Sequence, residues 1–285
     1  MPRIQANGIE LFYEEAGEGT PLVLQAHHHI PWMPFQIPYF SQFYRVITFD
    51  RRGTGRSASP PGEWTNADFA ADLRGLLDAL EIDRAIVGGA SLGGVIACQF
   101  GLDYPDRALA LVIGHTVPWF RDDSQTWIDE QISIIESGGR PIVMQPKSFE
   151  WEEAGPPTQR PGFEESEIGR VVATLRASIG NTPDDAVRSL RAIRAWDVRP
   201  RAEELAALSM PVLVLVGGNE SQKTVTMSYE WHKMIPASEF YMLPNTHHGA
   251  ARENPLGWNR IVHGFLQRHD LGGEPERRTS VASPA

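Results

Sequence analysis

The sequence predicts an α/β fold, a mostly parallel sheet flanked by helices and interrupted by a helical cap. Three observations carry this. Short apolar runs of buried-strand length alternate with segments whose apolar residues recur every three or four positions. Between about Val117 and Ser209 the alternation gives way to a proline-rich stretch too long to be a bare loop. It resumes at MPVLVLVGG. The chain therefore divides into a core of residues 1–116 and 210–270, a cap (lid) insertion over 117–209, and a polar tail over 271–285 that is expected to fray.

Each element follows from its residues. Asn7-Gly8 is a tight-turn dipeptide between RIQA and IELFYEE, which reads as a hairpin. After Gly17-Glu18-Gly19 come PLVLQA and RVITFD, two apolar runs expected as buried strands. Thr65 or Asn66 caps ADFAADLRGLLDALEI, a helix with Phe69, Leu73, Leu76, Leu77 and Leu80 on one face. RAIVGG is a strand, SLGGVIACQFGLDY a helix stopped by Pro105, and RALALVIG a strand again. In the insertion TWIDEQISIIES and EIGRVVATLRASI read as helices. Beyond it lie a helix near VTMSYEWHKMI, the short strand EFYML and a last helix around WNRIVHGFLQRH. Such an alternation makes right-handed crossovers and puts ligands at the carboxyl ends of the strands.

Composition narrows the function. With 41% apolar and 22% charged residues the chain is ordinary globular protein, and 285 residues bury a substantial core. Twenty-six basic against 36 acidic residues leave a net charge of -10, which repels phosphate backbones and argues against nucleic acid. No apolar stretch is long enough to span a bilayer, and the start MPRIQANGIELFYEE lacks the layout of a signal peptide, so no membrane and a cytoplasmic location are expected. The single cysteine, Cys98, permits no internal disulfide and no multi-cysteine zinc site.

Gly89-Ala90-Ser91-Leu92-Gly93 is G-x-S-x-G set between a strand and a helix, the context that a nucleophile elbow requires. Flanking glycines allow a sharp, strained turn that lifts the serine oxygen at the sheet edge. The N–H of Leu92, at a helix N-terminus, would face a developing oxyanion. The bland alternative is that Ser91 merely caps the helix.

At this point the sequence resembles the α/β-hydrolase superfamily. Asp50-Arg51-Arg52-Gly53-Thr54-Gly55-Arg56-Ser57 is similar to the D-x-R-G-x-G-x-S turn after the fourth strand of many members. Tyr104-Pro105-Asp106-Arg107 resembles the Y-P-x-R end of the helix after the nucleophile. His248 stands five residues before Glu253-Asn254-Pro255, as the catalytic histidine does in such families. The resemblance covers about Ile9 to Thr116 and Pro211 to Leu271. It implies an α/β-hydrolase-like sheet with a cap and a serine-based triad.

A base that takes a proton from Ser91 near neutral pH selects histidine. The resemblance favours His248, on the loop after the last strand, while its neighbour His247 occupies a position where many members have glycine. The third member is expected three residues after Gly217, which gives Glu220 in place of the usual aspartate. The other known location of the acid, after RALALVIG, offers His115 and Thr116 but no carboxylate.

The second oxyanion N–H comes, by the resemblance, from the loop after PLVLQA, where Ala26-His27 replaces the usual His-Gly. The donor is then His28, or His29 on a one-residue shift. His27, His29, Trp32 and Trp119 are candidate substrate-binding residues. Trp32, Met33, Phe35, Trp119, Phe120 and Trp127 individually read as core packing and together suggest an apolar pocket. Adjacent residues of an extended chain point to opposite sides, so at most two of the three histidines share an ion, and no metal is expected. Asp50, Arg51, Arg52 and Arg56 read as a solvated or salt-bridged turn.

The sequence therefore predicts a hydrolase, independent of any cofactor, that cleaves an ester or lactone of a small, partly apolar carbonyl compound through an acyl-enzyme. A carbon–carbon bond hydrolase or an acyltransferase would use the same triad. A ligand receptor on a hydrolase scaffold would need none of it. The expected partner is a small-molecule substrate, and nothing in the sequence speaks to oligomeric state.

Overall fold

The computed structural model describes residues 3–26, 30–139 and 180–273. The expected helix EIGRVVATLRASI, most of the tail and His27, His28 and His29 lie outside the described residues.

One sheet of eight strands organises the chain. β1 (Arg3–Ala6) and β2 (Ile9–Ala16) form the hairpin, with Asn7 and Gly8 both in the left-handed region that a two-residue turn demands. β3 (Pro21–Gln25), β4 (Arg45–Phe49), β5 (Ala85–Ala90), β6 (Ala108–Gly114), β7 (Val212–Gly217) and β8 (Glu239–Leu243) complete the sheet. Its order is β1-β2-β4-β3-β5-β6-β7-β8, antiparallel in the β1–β2 and β2–β4 pairs and parallel from β4 onward.

The parallel strands are apolar on both sides because both sides are covered. Val23, Ile47, Val87, Leu111, Ile113 and Val214 face one cluster. That cluster includes α2 (Asn66–Ala79), α3 (Leu92–Asp103) and, through Trp231, α7 (Gln222–Met234). Leu22, Leu24, Val46, Ile86, Val112, Leu213 and Leu215 face the other. It holds Phe40 of the short α1 (Gln36–Phe40), Ala250 and Ala251 of α8 (Ala250–Glu253), and Trp258, Val262, Phe265 and Leu266 of α9 (Pro255–Arg268). Cys98 is buried in the first cluster. Of the two candidate caps of α2, Thr65 does the work: its hydroxyl accepts from Asp68 N–H, and the Asp68 carboxylate accepts from Thr65 N–H. Among the described residues no helix is long and apolar enough to cross a membrane.

Within the insertion, α4 (Asp122–Glu136) packs on α5 (Pro183–Arg194) through Ile128, Ile132, Ile135, Val187 and Leu190. A short α6 (Ala202–Ala206) follows. The turn of residues 50–57 seats this region, and of the two expectations for it, solvated or salt-bridged, the structure has the salt-bridged one. Arg51 and Arg52 are 2% and 6% exposed. Arg52 forms a two-pronged pair with Asp72 of α2 at 2.6 and 2.7 Å. Arg51 Nη1 donates to Ser189 Oγ of α5 at 3.0 Å, and Asn181 N–H donates to Gly53 O at 2.7 Å. Asn66 Nδ2 adds a bond to Ala192 O at 2.8 Å. Guanidinium groups buried at this joint need fixed acceptors, which α2 supplies to Arg52 and the insertion, through Ser189, to Arg51.

Candidate active site

Ser91 sits between β5 and α3 with φ 57° and ψ -121°, outside the ordinary regions for a residue with a side chain. The two glycines of the motif are forced by contact. A Cβ at Gly89 would collide with the backbone of Gly93, and one at Gly93 with the carbonyl of Gln25. Ser91 N–H is held by Gly114 O at 2.9 Å, so the bend is pinned to the neighbouring strand. Its side chain makes no capping bond to α3, which disposes of the view that it is there to cap. The first N–H groups of a helix lack partners within it, and Leu92 opens α3 beside that hydroxyl.

Two strands beyond β5 in the sheet, two loops are stitched together. Gly218 N–H donates to Leu243 O at 2.8 Å, and Asn219 N–H to Thr246 O at 2.7 Å. These bonds tie the loop after β7 to the loop after β8 and bring Glu220 to His248. The separation of Glu220 Oε1 and His248 Nδ1 is 3.0 Å. Glu220's side chain is 11% exposed and the His248 ring 59%. His247 is turned elsewhere: its N–H and its Nδ1 both meet Glu253 Oε2, at 2.7 and 3.2 Å. The two adjacent histidines thus have separate carboxylates. No hydrogen bond joins Ser91 Oγ to His248 among the described residues; bonds of this kind are commonly long until a substrate draws the groups together.

The remaining candidates are placed differently. Trp32 is 1% exposed, its ring 5.6 Å from that of Trp258 in the α1–α9 layer, so it is core and not a pocket wall. Trp119 is half-buried under the Arg199 guanidinium, 4.9 Å from its ring. It lines a cleft of about 410 Å³ with Phe120, Arg121, Asp122, Asp123, Gln125 and Arg199, which excludes Ser91, Glu220 and His248. Among the described residues no group of three or more His, Cys, Asp or Glu is placed to hold a metal ion.

Two residues at this edge carry no role in the sequence reading, where His115 figures only for not being a carboxylate and Gln25 not at all. Gln25 ends β3 with its amide 2% exposed and both Nε2 and Oε1 unpartnered. His115 follows β6 at φ 53°, 1% exposed, with both ring nitrogens unpartnered. Burial, and then the charge of His248, push its pKa down to about 3. The available signal was a polar residue terminating an otherwise apolar strand.

Comparison with known proteins agrees with this architecture. Residues 21–137 match the family model of the alpha/beta hydrolase fold. A 3-oxoadipate enol-lactonase 2 of Acinetobacter baylyi is 28% identical over 234 residues, 82% of this chain and 82% of that protein. The RutD protein of Variovorax paradoxus, named as a carbamate hydrolase, is 26% identical over 254 residues, 86% and 89% of the two chains. The crystal structure of the enol-lactonase from Burkholderia xenovorans superposes with a TM-score of 0.74 at 25% identity, covering 93% of this chain and 100% of that one. Sheet order and elbow give the chain the α/β-hydrolase fold, and these likenesses make it similar to hydrolases of small substrates.

Proposed function

We propose that this hydrolase cleaves an ester or lactone of a small, partly apolar carbonyl compound through an acyl-enzyme on Ser91. The observation that carries the reading is the His248–Glu220 pair at 3.0 Å, on the same sheet edge as a serine held in a strained elbow. Glu220 accepts from Nδ1–H, which leaves the lone pair of His248 on Nε2. Ser91 Oγ attacks the carbonyl carbon while His248 Nε2 takes the hydroxyl proton. The resulting oxyanion is held by the N–H of Leu92 and, by the resemblance, that of His28. As the C–O bond to the leaving alkoxide breaks, His248 returns its proton to that oxygen. Water then attacks the acyl carbon, His248 takes and returns a second proton, and the acid leaves with Ser91 restored. A lactone gives one hydroxy acid, since alcohol and acid are parts of the same molecule.

The bond between His247 and Glu253 supports His248 as the base, because His247's ring is already engaged away from Glu220. The enol-lactonase relatives support a lactone over an open ester.

The test is hydrolysis of short p-nitrophenyl esters and simple lactones by wild type and Ser91→Ala, with labelling by an organophosphonate. Ser91→Ala should be unlabelled and lose at least about a thousandfold in kcat. Undiminished labelling of Ser91→Ala would end the assignment. Turnover of carbamates alone would keep the nucleophile and replace the substrate class.

A further inference from the structure

The residue after β6 stands in a singular place. Sheet order puts β6 between β5, which ends at Ser91, and β7, which leads to Glu220. Neighbouring strands lie about 4.8 Å apart, so the strands of the nucleophile and of the carboxylate are separated by about 10 Å. His115 occupies that gap. Its N–H is fixed to Leu215 O at 2.7 Å, and its left-handed backbone departs from the regular alternation of the strand. Nothing else among the described residues bonds its ring, although the ring is almost fully buried. Buried polar groups are nearly always satisfied, and two orphan nitrogens on one side chain call for a reason. His248, paired with Glu220 on the loop after β8, also lies at this edge, and it adds to burial in disfavouring a proton on His115. Burial keeps His115 neutral near pH 7, with one N–H and one lone pair.

We propose, resting on the hydrolase reading above, that His115 is a positioning residue: a neutral imidazole flooring the place His248 must occupy between Glu220 and Ser91. Its ring stops His248 from sinking into the sheet. Its lone-pair nitrogen gives the imidazolium formed in each proton transfer a partially negative neighbour that does not itself take the proton. The unsatisfied nitrogens are then a feature of the working site, since any fixed internal partner would withdraw that lone pair.

The test separates shape from polarity. His115→Phe keeps a ring and removes both nitrogens; His115→Asn keeps a neutral polar group in a residue that tolerates the left-handed region. With p-nitrophenyl ester, His115→Phe should lower kcat by about tenfold to a hundredfold with KM within about twofold, because misplacement of a catalytic group costs that much. His115→Asn should recover most of the loss. Wild-type kcat in His115→Phe, or equal losses in both variants with a raised KM, would overturn the proposal. If His115→Phe fails to fold, His115→Ala replaces it: kcat well below that of His115→Asn supports the role, and equal kcat overturns it. Ser91→Ala is measured alongside. Undiminished hydrolysis there sinks the Ser91 acyl-enzyme reading itself, whereas a Ser91→Ala slowed at least about a thousandfold beside fully active His115 variants sinks only the role of His115.

Discussion

The turn of residues 50–57 and the carboxyl edge around Ser91 are equally dense in polar residues, yet they are built on opposite principles. In the turn most polar groups are met by fixed protein partners. Asp50 Oδ2 accepts from Arg56 N–H, Thr54 Oγ1 donates to Arg51 O, Ser57 Oγ accepts from Phe12 N–H, and Arg52 is locked to Asp72. At the edge, Ser91's hydroxyl, the amide of Gln25 and the ring of His115 are held in place by their backbones and bonded by nothing among the described residues. A satisfied cluster fixes structure, and an unsatisfied one keeps its donors and acceptors for something that arrives. Sequence motifs mark both. Partner accounting tells them apart.

If that contrast is right, damage at the two regions should be read by different instruments. The largest effect belongs to the edge. Glu220→Gln keeps the shape of the side chain but removes the charge and allows its amide to favour the wrong tautomer of His248. A fall in kcat of about 10³- to 10⁴-fold is expected, with urea unfolding nearly unchanged. Wild-type turnover in Glu220→Gln would move the acid to another residue and erase the distinction for this pair.

The turn should give the converse. Asp72→Ala leaves the Arg52 guanidinium buried without its carboxylate, and losing one partner of a buried pair costs about 3–5 kcal/mol. Urea unfolding should show that loss, while the molecules still folded hydrolyse ester at a rate close to wild type. A large fall in kcat at full stability would mean that the turn reaches into the chemistry.

These residues also show what a sequence can disclose. The strands were legible because a parallel sheet covered on both faces leaves near-continuous apolar runs, and the hairpin because Asn7-Gly8 fits few other turns. The elbow was legible because the contacts of Gly89 and Gly93 leave no room for a side chain. Partners distant in the chain were not. The burial of Arg51 depends on Ser189, 138 residues away, and that of Trp32 on Trp258. The separate engagements of His247 and His248 depend on which carboxylate each loop delivers, and neighbours in sequence share the same local pattern.

The smallest effect probes the edge through stability alone. His115 binds a proton below about pH 6.5 in the unfolded chain and only below about 3 in the folded one. Between those values the unfolded state holds the extra proton, so folding stability contributed by a neutral His115 is complete above 6.5 and drains away as the pH falls. Its share of the slope approaches about 1.4 kcal/mol per pH unit. His115→Phe has no such proton to take up. Urea unfolding at pH 7, 6, 5 and 4 should therefore give a flatter acid limb in His115→Phe than in wild type, by up to that slope. The buried His263, whose pKa burial also lowers, contributes equally to both proteins and cancels in the difference. Parallel limbs would mean that His115 finds a proton or a partner inside the folded protein, and the edge would then resemble the turn after all.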